Sequence, residues 1–90
     1  MPIETLDIIN KRGLHARAAA KFATLANQFK ASIQVRVGEG IWADAKSVMS
    51  LMLLAASCGS RIEVNIDGED AEIAMSAIRN LIADRFEEGE

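Results

Sequence analysis

The segment Gly13-Leu14-His15-Ala16-Arg17 holds the one histidine of the chain, between a strand-like run and the first turn of an amphipathic helix. A helix start offers backbone N–H groups that have no partner inside the helix, and their dipoles favour negative charge. The arginine adds a planar, permanently charged donor for the same kind of group. The N–H groups of Ala16 and Arg17, together with the Arg17 guanidinium, therefore predict a place where a phosphoryl group is held.

His15 is the candidate nucleophile of this segment. Neutral imidazole is a good nucleophile at about pH 7, and a helix N-terminus disfavours the imidazolium form. Attack on a phosphoryl donor would give a phosphohistidine, a reaction that asks the protein mainly for positioning and charge stabilisation. No general base or metal needs to take part. The plainer alternative is that His15 merely caps a helix and Arg17 is a solvated surface charge.

Length and charge bound the class of protein. Ninety residues fit one domain, 1–90, around a single apolar core, and the net charge of −3 argues against a nucleic-acid binder, which needs a net basic face. Cys58 is the only cysteine. With one histidine elsewhere, the sequence offers neither an internal disulfide nor a credible metal cluster, and we expect no cofactor.

Targeting signals are not recognisable in the sequence. The start Met1-Pro2-Ile3-Glu4 lacks the charged lead and long apolar stretch of a signal peptide, and no segment has the roughly 18 apolar residues of a membrane span. We therefore expect a cytoplasmic protein that inserts into no membrane.

Alternating apolar and polar residues predict four strands. The first covers residues 4–8 and the second residues 33–37. Residues 38–40, Gly-Glu-Gly, permit a chain reversal into a third strand at 41–43, so the second and third strands should form a hairpin. The cleanest alternation, over residues 61–67, predicts the fourth strand.

Apolar spacings of three and four predict three helices. The first covers roughly residues 16–28, and the second covers residues 48–56 after the good N-cap residues Asp44 and Ser47. The third begins near Glu69 and Asp70, as the helix dipole prefers. Its apolar stripe consists of Ala74, Ala77, Ile78, Leu81 and Ile82. We expect the acidic tail, residues 87–90, to fray.

The resulting order, β-α-β-β-α-β-α, predicts an α+β fold. Each strand has one apolar face, so a four-stranded, mostly antiparallel sheet with its three helices on one face would bury all of them.

Two motifs carry a resemblance to a known family. Gly13-Leu14-His15-Ala16-Arg17, followed by an Ala-rich helix with Phe22, and Ala45-Lys46-Ser47-Val48-Met49 ahead of Leu51 resemble the histidine-containing phosphocarrier (HPr) family of bacterial phosphoenolpyruvate-dependent phosphotransferase systems. The likeness extends to about Phe86. It implies an open-faced β-sandwich.

The resemblance also implies roles for individual residues. His15 would accept a phosphoryl group on Nδ1 from phosphorylated enzyme I and pass it to the histidine of an enzyme IIA domain, and Arg17 would stabilise the phosphate. The family usually has proline directly after that arginine, whereas this chain has Ala18. Proline stiffens a first helical turn, so alanine puts the rate of transfer and the lifetime of the phosphohistidine in question.

Ser47 matches the regulatory serine of the family, which some bacteria phosphorylate with an HPr kinase/phosphorylase. A phosphate there would add about −1.5 to −2 charges at a helix N-terminus and change the potential that partners meet. The alternative is a plain N-cap serine.

The second helix is too apolar to bury all of its side chains. Helical spacing sends Leu51 and Leu54 to the core and leaves Val48, Met49 and Met52 near the surface beside the first helix. Unbranched methionines adapt to differently shaped partners, which suits a carrier that docks on a donor and on several acceptors. The alternative is an unusually apolar core helix.

Other functions stay open beside the sugar phosphocarrier. One is a nitrogen-related, NPr-type carrier with a regulatory role, although Ala45-Lys46-Ser47 leans toward the HPr type. Another is a non-catalytic docking module controlled at Ser47, against which the pair His15 and Arg17 counts. A stand-alone enzyme fits least well. A monomer is the default for a carrier that must expose one reactive face.

Overall fold

The computed structural model of the chain describes residues 3–54 and 56–87. Its elements follow the expected order, with a short 3-10 turn added at the end. They are β1 (Ile3–Asp7), α1 (Ala16–Ala26), β2 (Ser32–Val37), β3 (Ala43–Asp44), α2 (Val48–Leu53), β4 (Arg61–Asp67), α3 (Ala71–Ala83) and the turn Arg85–Glu87. The sheet has the order β1-β4-β2-β3, and every neighbouring pair is antiparallel.

Strand β4 lies inside the sheet and confirms the clearest sequence pattern. Its apolar residues Ile62, Val64 and Ile66 are fully buried, and Val64 and Ile66 stand opposite Val35 and Ile33 of β2. The residues between them point to the other face of the sheet, because strand side chains alternate. One face of the two central strands, β4 and β2, is therefore apolar.

All three helices pack on that apolar face, as the sequence predicts. Each contributes fully buried side chains to the same core, among them Phe22 of α1, Leu51 of α2 and Ile78 of α3. The ring of Phe22 also meets Phe86, with their centroids 6.4 Å apart. The opposite face of the sheet is left uncovered by helices in the described part of the chain, which gives the open-faced β-sandwich.

The β2–β3 hairpin is confirmed, but the predicted position of its second strand, residues 41–43, is wrong. The turn closes with Gly40 N–H donating to the carbonyl oxygen of Val37 at 3.0 Å, and pairing resumes only at Ala43–Asp44. Ile41 is 89% exposed. The ring of Trp42 instead lies under the Arg36 guanidinium, 4.5 Å from its centroid, a cation–π contact that replaces strand pairing.

Helices α1 and α2 both end earlier than their apolar patterns predict. After Ala26, the Asn27 side chain donates to the carbonyl oxygens of Ala23 at 2.8 Å and Lys46 at 3.0 Å, which ends α1 and ties it to the start of α2. Helix α2 ends at Leu53 rather than at residue 56. Residue 55 lies outside the described residues.

Asp70 precedes α3, as expected, but its carboxylate bonds elsewhere. It accepts hydrogen bonds from the backbone N–H groups of Lys30 and Ala31, each at 2.9 Å, and makes no side-chain cap of α3. These N–H groups, that of Lys30 above all, stabilise the carboxylate and hold the pKa of Asp70 below its usual value. The residue therefore joins the start of β2 to the start of α3.

The chain after α3 returns to the core through an unusual turn. Arg85, Phe86 and Glu87 have positive φ angles of 54°, 54° and 65°, a conformation that non-glycine residues rarely adopt. Burial of the Phe86 ring offsets part of this strain. Two hydrogen bonds that Lys21 Nζ donates, to the Phe86 carbonyl oxygen at 3.0 Å and to the Glu87 carboxylate at 3.2 Å, offset more of it. Fraying from residue 87 is therefore wrong for Glu87, which this turn and Lys21 hold in place. Residues 88–90, the rest of the tail expected to fray, lie outside the described residues.

Candidate functional site

His15 is the N-cap residue of α1. Its backbone is extended, with φ −77° and ψ −179°, and its Nδ1 accepts a hydrogen bond from the backbone N–H of Arg17 at 3.3 Å. An imidazole nitrogen that accepts carries a lone pair and no hydrogen, so in the neutral ring the hydrogen is on Nε2. The plain capping contact therefore exists, and it aims the nucleophilic lone pair of Nδ1 at the helix N-terminus.

The two residues predicted to hold a phosphate follow His15 directly, and the N–H of one of them, Arg17, contacts Nδ1. Ala16 and Arg17 form the first turn of α1 and are both exposed. No acidic residue occurs in this first turn, so none of its side chains competes for the N–H groups. Ala18 is fully buried on the core side of the helix.

The loop before His15 is fixed against the segment that follows α2. Gly13 has a φ of +66°, and a Cβ on it would collide with the carbonyl oxygen of Ala56 and come within 2.7 Å of Ser57 Cα. Leu14 N–H donates to the same Ala56 oxygen at 2.7 Å. Only glycine satisfies both the backbone angle and the close approach.

Helix α2 runs antiparallel to α1 and beside it. Its start is tied to the end of α1 through Asn27 and Lys46, and the segment after it touches Leu14, next to His15. Val48, Met49 and Met52 are exposed, Leu51 is fully buried and Leu54 half-buried. The structure thus exposes all three predicted docking residues on the helix that packs beside α1, the helix that begins after His15.

Leu53 also belongs to this exposed apolar surface, and sequence reasoning missed it. The residue is 79% exposed. The signal was available, because Leu53 stands one turn after Met49 and so shares its face of the helix.

Ser47 is the N-cap of α2 and lies apart from His15. Its Oγ accepts a hydrogen bond from Ser50 N–H at 3.2 Å. Since the starts of two antiparallel helices lie at opposite ends, the length of the 11-residue α1 separates the two residues, about 16 Å at 1.5 Å per residue. The structure therefore does not bring Ser47 into the His15 site.

Metal-binding clusters and membrane-spanning helices are both absent from residues 3–54 and 56–87. No group of three or more His, Cys, Asp or Glu side chains there is arranged to hold a metal ion. No helix there has the length and apolar character needed to cross a membrane.

Comparisons with known proteins agree with this geometry. Residues 3–84 match the family model described as "PTS HPr component phosphorylation site". The chain is 49% identical to the phosphocarrier protein HPr of Cupriavidus necator, over 92% of each sequence. Its structure resembles that of HPr from Thermoanaerobacter tengcongensis, with a TM-score of 0.92, 39% identity and 98% of each chain covered.

A second solved structure from that bacterium bears on assembly. It is an HPr dimer, matched with a TM-score of 0.75 and 38% identity over 96% of this chain and 98% of the other. These comparisons support a phosphocarrier of the phosphotransferase system and give no support to the nitrogen-related alternative. The chain belongs to the HPr family of phosphocarrier proteins of the phosphotransferase system.

Proposed function

We propose that His15 is the residue on which this phosphocarrier holds its phosphoryl group, with Nδ1 as the accepting atom. The observation that carries the proposal is the direction of Nδ1, whose lone pair is aimed at the first N–H groups of α1. A phosphoryl group on Nδ1 would place its oxygens against the N–H groups of Ala16 and Arg17. The Arg17 guanidinium, on an exposed residue, would close on them from solvent.

The chemical step needs little from the protein beyond this geometry. The Nδ1 lone pair forms a bond to phosphorus while the bond between phosphorus and the donor group of enzyme I breaks. No proton has to leave the ring first, because the neutral ring carries its hydrogen on Nε2. The reverse arrangement hands the group to an enzyme IIA domain, and Nδ1 regains its lone pair. No cofactor takes part.

The exposed residues of α2 form the proposed docking face for enzyme I and the IIA domains. Val48, Met49 and Met52, joined by Leu53, give an exposed apolar surface on the helix that packs beside α1. The methionine side chains are flexible enough to fit partners of different shape. A monomer exposes this face fully, so we propose that the carrier is a monomer. We also propose that it acts in the cytoplasm.

Ser47 is the proposed regulatory residue, with an HPr kinase/phosphorylase as the modifying partner. A phosphate on Ser47 would lie about 16 Å from His15, beyond contact with the reacting atoms. It would be next to Val48 on the docking face, so its charge would act on partner binding rather than on the chemical step.

Intact-mass analysis tests the carrier role. The protein is incubated with enzyme I and phosphoenolpyruvate, beside its His15→Ala and Ser47→Ala variants. We expect one acid-labile phosphoryl group on the parent and on Ser47→Ala, and none on His15→Ala. A His15→Ala protein that gains the group would refute the assignment. A parent that gains none, with enzyme I from the same organism, would favour the docking module instead.

A further inference from the structure

The loop before His15 contains the one fully buried polar side chain in the described part of the chain, Asn10. Its side-chain Nδ2 donates to the carbonyl oxygen of Gly13 at 2.7 Å, and the backbone carbonyl oxygen of Asn10 accepts from Gly13 N–H at 3.1 Å. Both polar backbone groups of Gly13 are thus bonded to Asn10. A buried amide is tolerated where it is hydrogen-bonded, so its presence here indicates that this turn is strongly specified.

The peptide group between Gly13 and Leu14 is held from two sides. Its carbonyl oxygen accepts from Asn10 Nδ2 at 2.7 Å, and its N–H donates to Ala56 at 2.7 Å. The Leu14 side chain is buried as well. Rotation of this peptide plane would break two short hydrogen bonds at once, and the plane lies one residue before His15.

The two hydrogen bonds that hold the Gly13–Leu14 peptide form a clamp around it. The segment that contains Ala56 is itself hydrogen-bonded to Ile8, directly after the strand that leads to Asn10. Ile8 N–H donates to the Ser60 carbonyl oxygen at 2.9 Å, and Gly59 N–H donates to the Ile8 carbonyl oxygen at 2.7 Å. Residues 8–14 and 56–60 therefore form a closed frame. Within this frame, Asn10 supplies the side-chain bond that determines the direction in which the backbone enters His15.

We propose that Asn10 is a positioning residue for phosphoryl transfer: by fixing the Gly13–Leu14 peptide it holds the His15 ring with Nδ1 toward the α1 N-terminus. This inference rests on the proposed role of His15. The inference also concerns Ala18, where a proline would stiffen the helix turn after His15. In this chain the hydrogen-bonded loop before His15 supplies that stiffness instead. Misplacing a reacting group by about 1 Å costs up to about 100-fold in rate, so a loosened loop should be visible in turnover.

The test measures steady-state phosphorylation of the carrier by enzyme I and phosphoenolpyruvate, with the carrier as the varied substrate. For Asn10→Ala and Asn10→Ser we expect kcat to fall about tenfold while KM stays within about twofold, because the docking face is untouched. Ile78→Val, a core substitution in α3 away from the loop, is the matched control for lost stability and should keep both constants. The His15 ring ¹⁵N resonances should move in the Asn10 variants and stay in the control.

Hydrogen exchange of the parent protein tests the clamp without any substitution. The Leu14 amide should be protected as strongly as the amides of β4, and fast exchange would overturn the proposal even if the variants fail to fold. Folded Asn10 variants with normal kcat and unmoved His15 resonances would also overturn it. A parent that accepts no phosphoryl group, or a His15→Ala protein that accepts one, would instead refute the role of His15 itself.

Discussion

The imidazole of His15 is turned toward the backbone of Arg17, with Nδ1 3.3 Å from the Arg17 nitrogen. One atom thus serves as the helix cap and as the proposed acceptor. The contact is at the long end for such a bond and therefore weak, so an incoming phosphoryl group displaces little. When the His15 ring gives up this hydrogen bond, the freed N–H can donate to a phosphoryl oxygen. The same helix end is then capped by His15 in the free protein and by the phosphoryl group in the phosphorylated one.

Ala16→Pro tests the backbone donors directly. It removes one N–H at the first helical position, where proline fits, and His15 already has the extended backbone that a residue before proline requires. We expect a folded protein within about 1 kcal/mol of the parent and a transfer rate lowered about tenfold, measured by rapid quench with phosphorylated enzyme I. Ala16→Ser, which keeps the N–H, should transfer normally. Equal rates for both variants would contradict donation by this group.

Arg17→Ala should slow transfer more than loss of one backbone donor. A hydrogen bond to a charged group contributes about 1.5–3 kcal/mol, which corresponds to roughly 10- to 100-fold in rate. Arg17→Lys should recover only part of this, because lysine cannot make the paired contacts of a guanidinium. Arg12→Ala removes another exposed cation of the same loop region and serves as the control. If Arg12→Ala lowers kcat as much as Arg17→Ala does, Arg17 acts only through its general positive charge and not through contact with the phosphoryl group.

The regular parts of the fold could be predicted because they depend on local periodicity. The alternation in β4 predicted its bounds, and the spacing in α1 predicted its start at Ala16. The third strand could not be placed, since its apolar residues Ile41 and Trp42 look like strand residues. What decides their position is the turn at Gly40 and the Trp42–Arg36 contact, neither of which is periodic.

The sequence was enough to choose the candidate residues of the site, but not the residues that support them. His15 and Arg17 are adjacent in sequence, so a motif identifies both of them. Asn10 looked like an ordinary turn residue at the end of a strand, because its burial depends on a segment more than forty positions later. Asp70 likewise looked like a helix-start acid, and its partners Lys30 and Ala31 are visible only in the folded chain.

Asp70→Asn should change the acid sensitivity of the fold. The bonds from Lys30 and Ala31 lower the carboxyl pKa in the folded state, so the unfolded chain takes up a proton first as pH falls. The stabilisation is therefore complete above the unfolded pKa of about 4 and is lost as pH falls through the lowered folded value. We expect urea unfolding to show a deficit for Asp70→Asn at pH 7 that narrows below about pH 4. A deficit independent of pH would contradict this account, and Glu72→Gln on the same helix is the control.

Met49→Ala tests the docking face against a residue of matched exposure. Met49 is 71% exposed on α2 and Ile73 is 68% exposed on α3, away from the site. Truncating either should change the free energy of unfolding by less than about 0.5 kcal/mol, as surface substitutions usually do. We expect Met49→Ala to raise KM for enzyme I about three- to tenfold with little change in kcat, because it removes binding rather than positioning. Equal KM values for Met49→Ala and Ile73→Ala would argue against docking at α2.

Substitutions at Ser47 should separate its cap from its charge. Ser47→Ala removes the acceptor for Ser50 N–H and should cost about 1 kcal/mol of stability, whereas Ser47→Asp keeps an acceptor and a favourable charge at the helix start. For phosphoryl transfer we expect the opposite order, with Ser47→Ala less affected than Ser47→Asp. Ser47→Ala should behave as the parent, and Ser47→Asp should raise KM for enzyme I without lowering kcat, because about 16 Å separates the charge from His15. A lower kcat in Ser47→Asp at unchanged KM would place the effect on the reacting group and contradict regulation through docking.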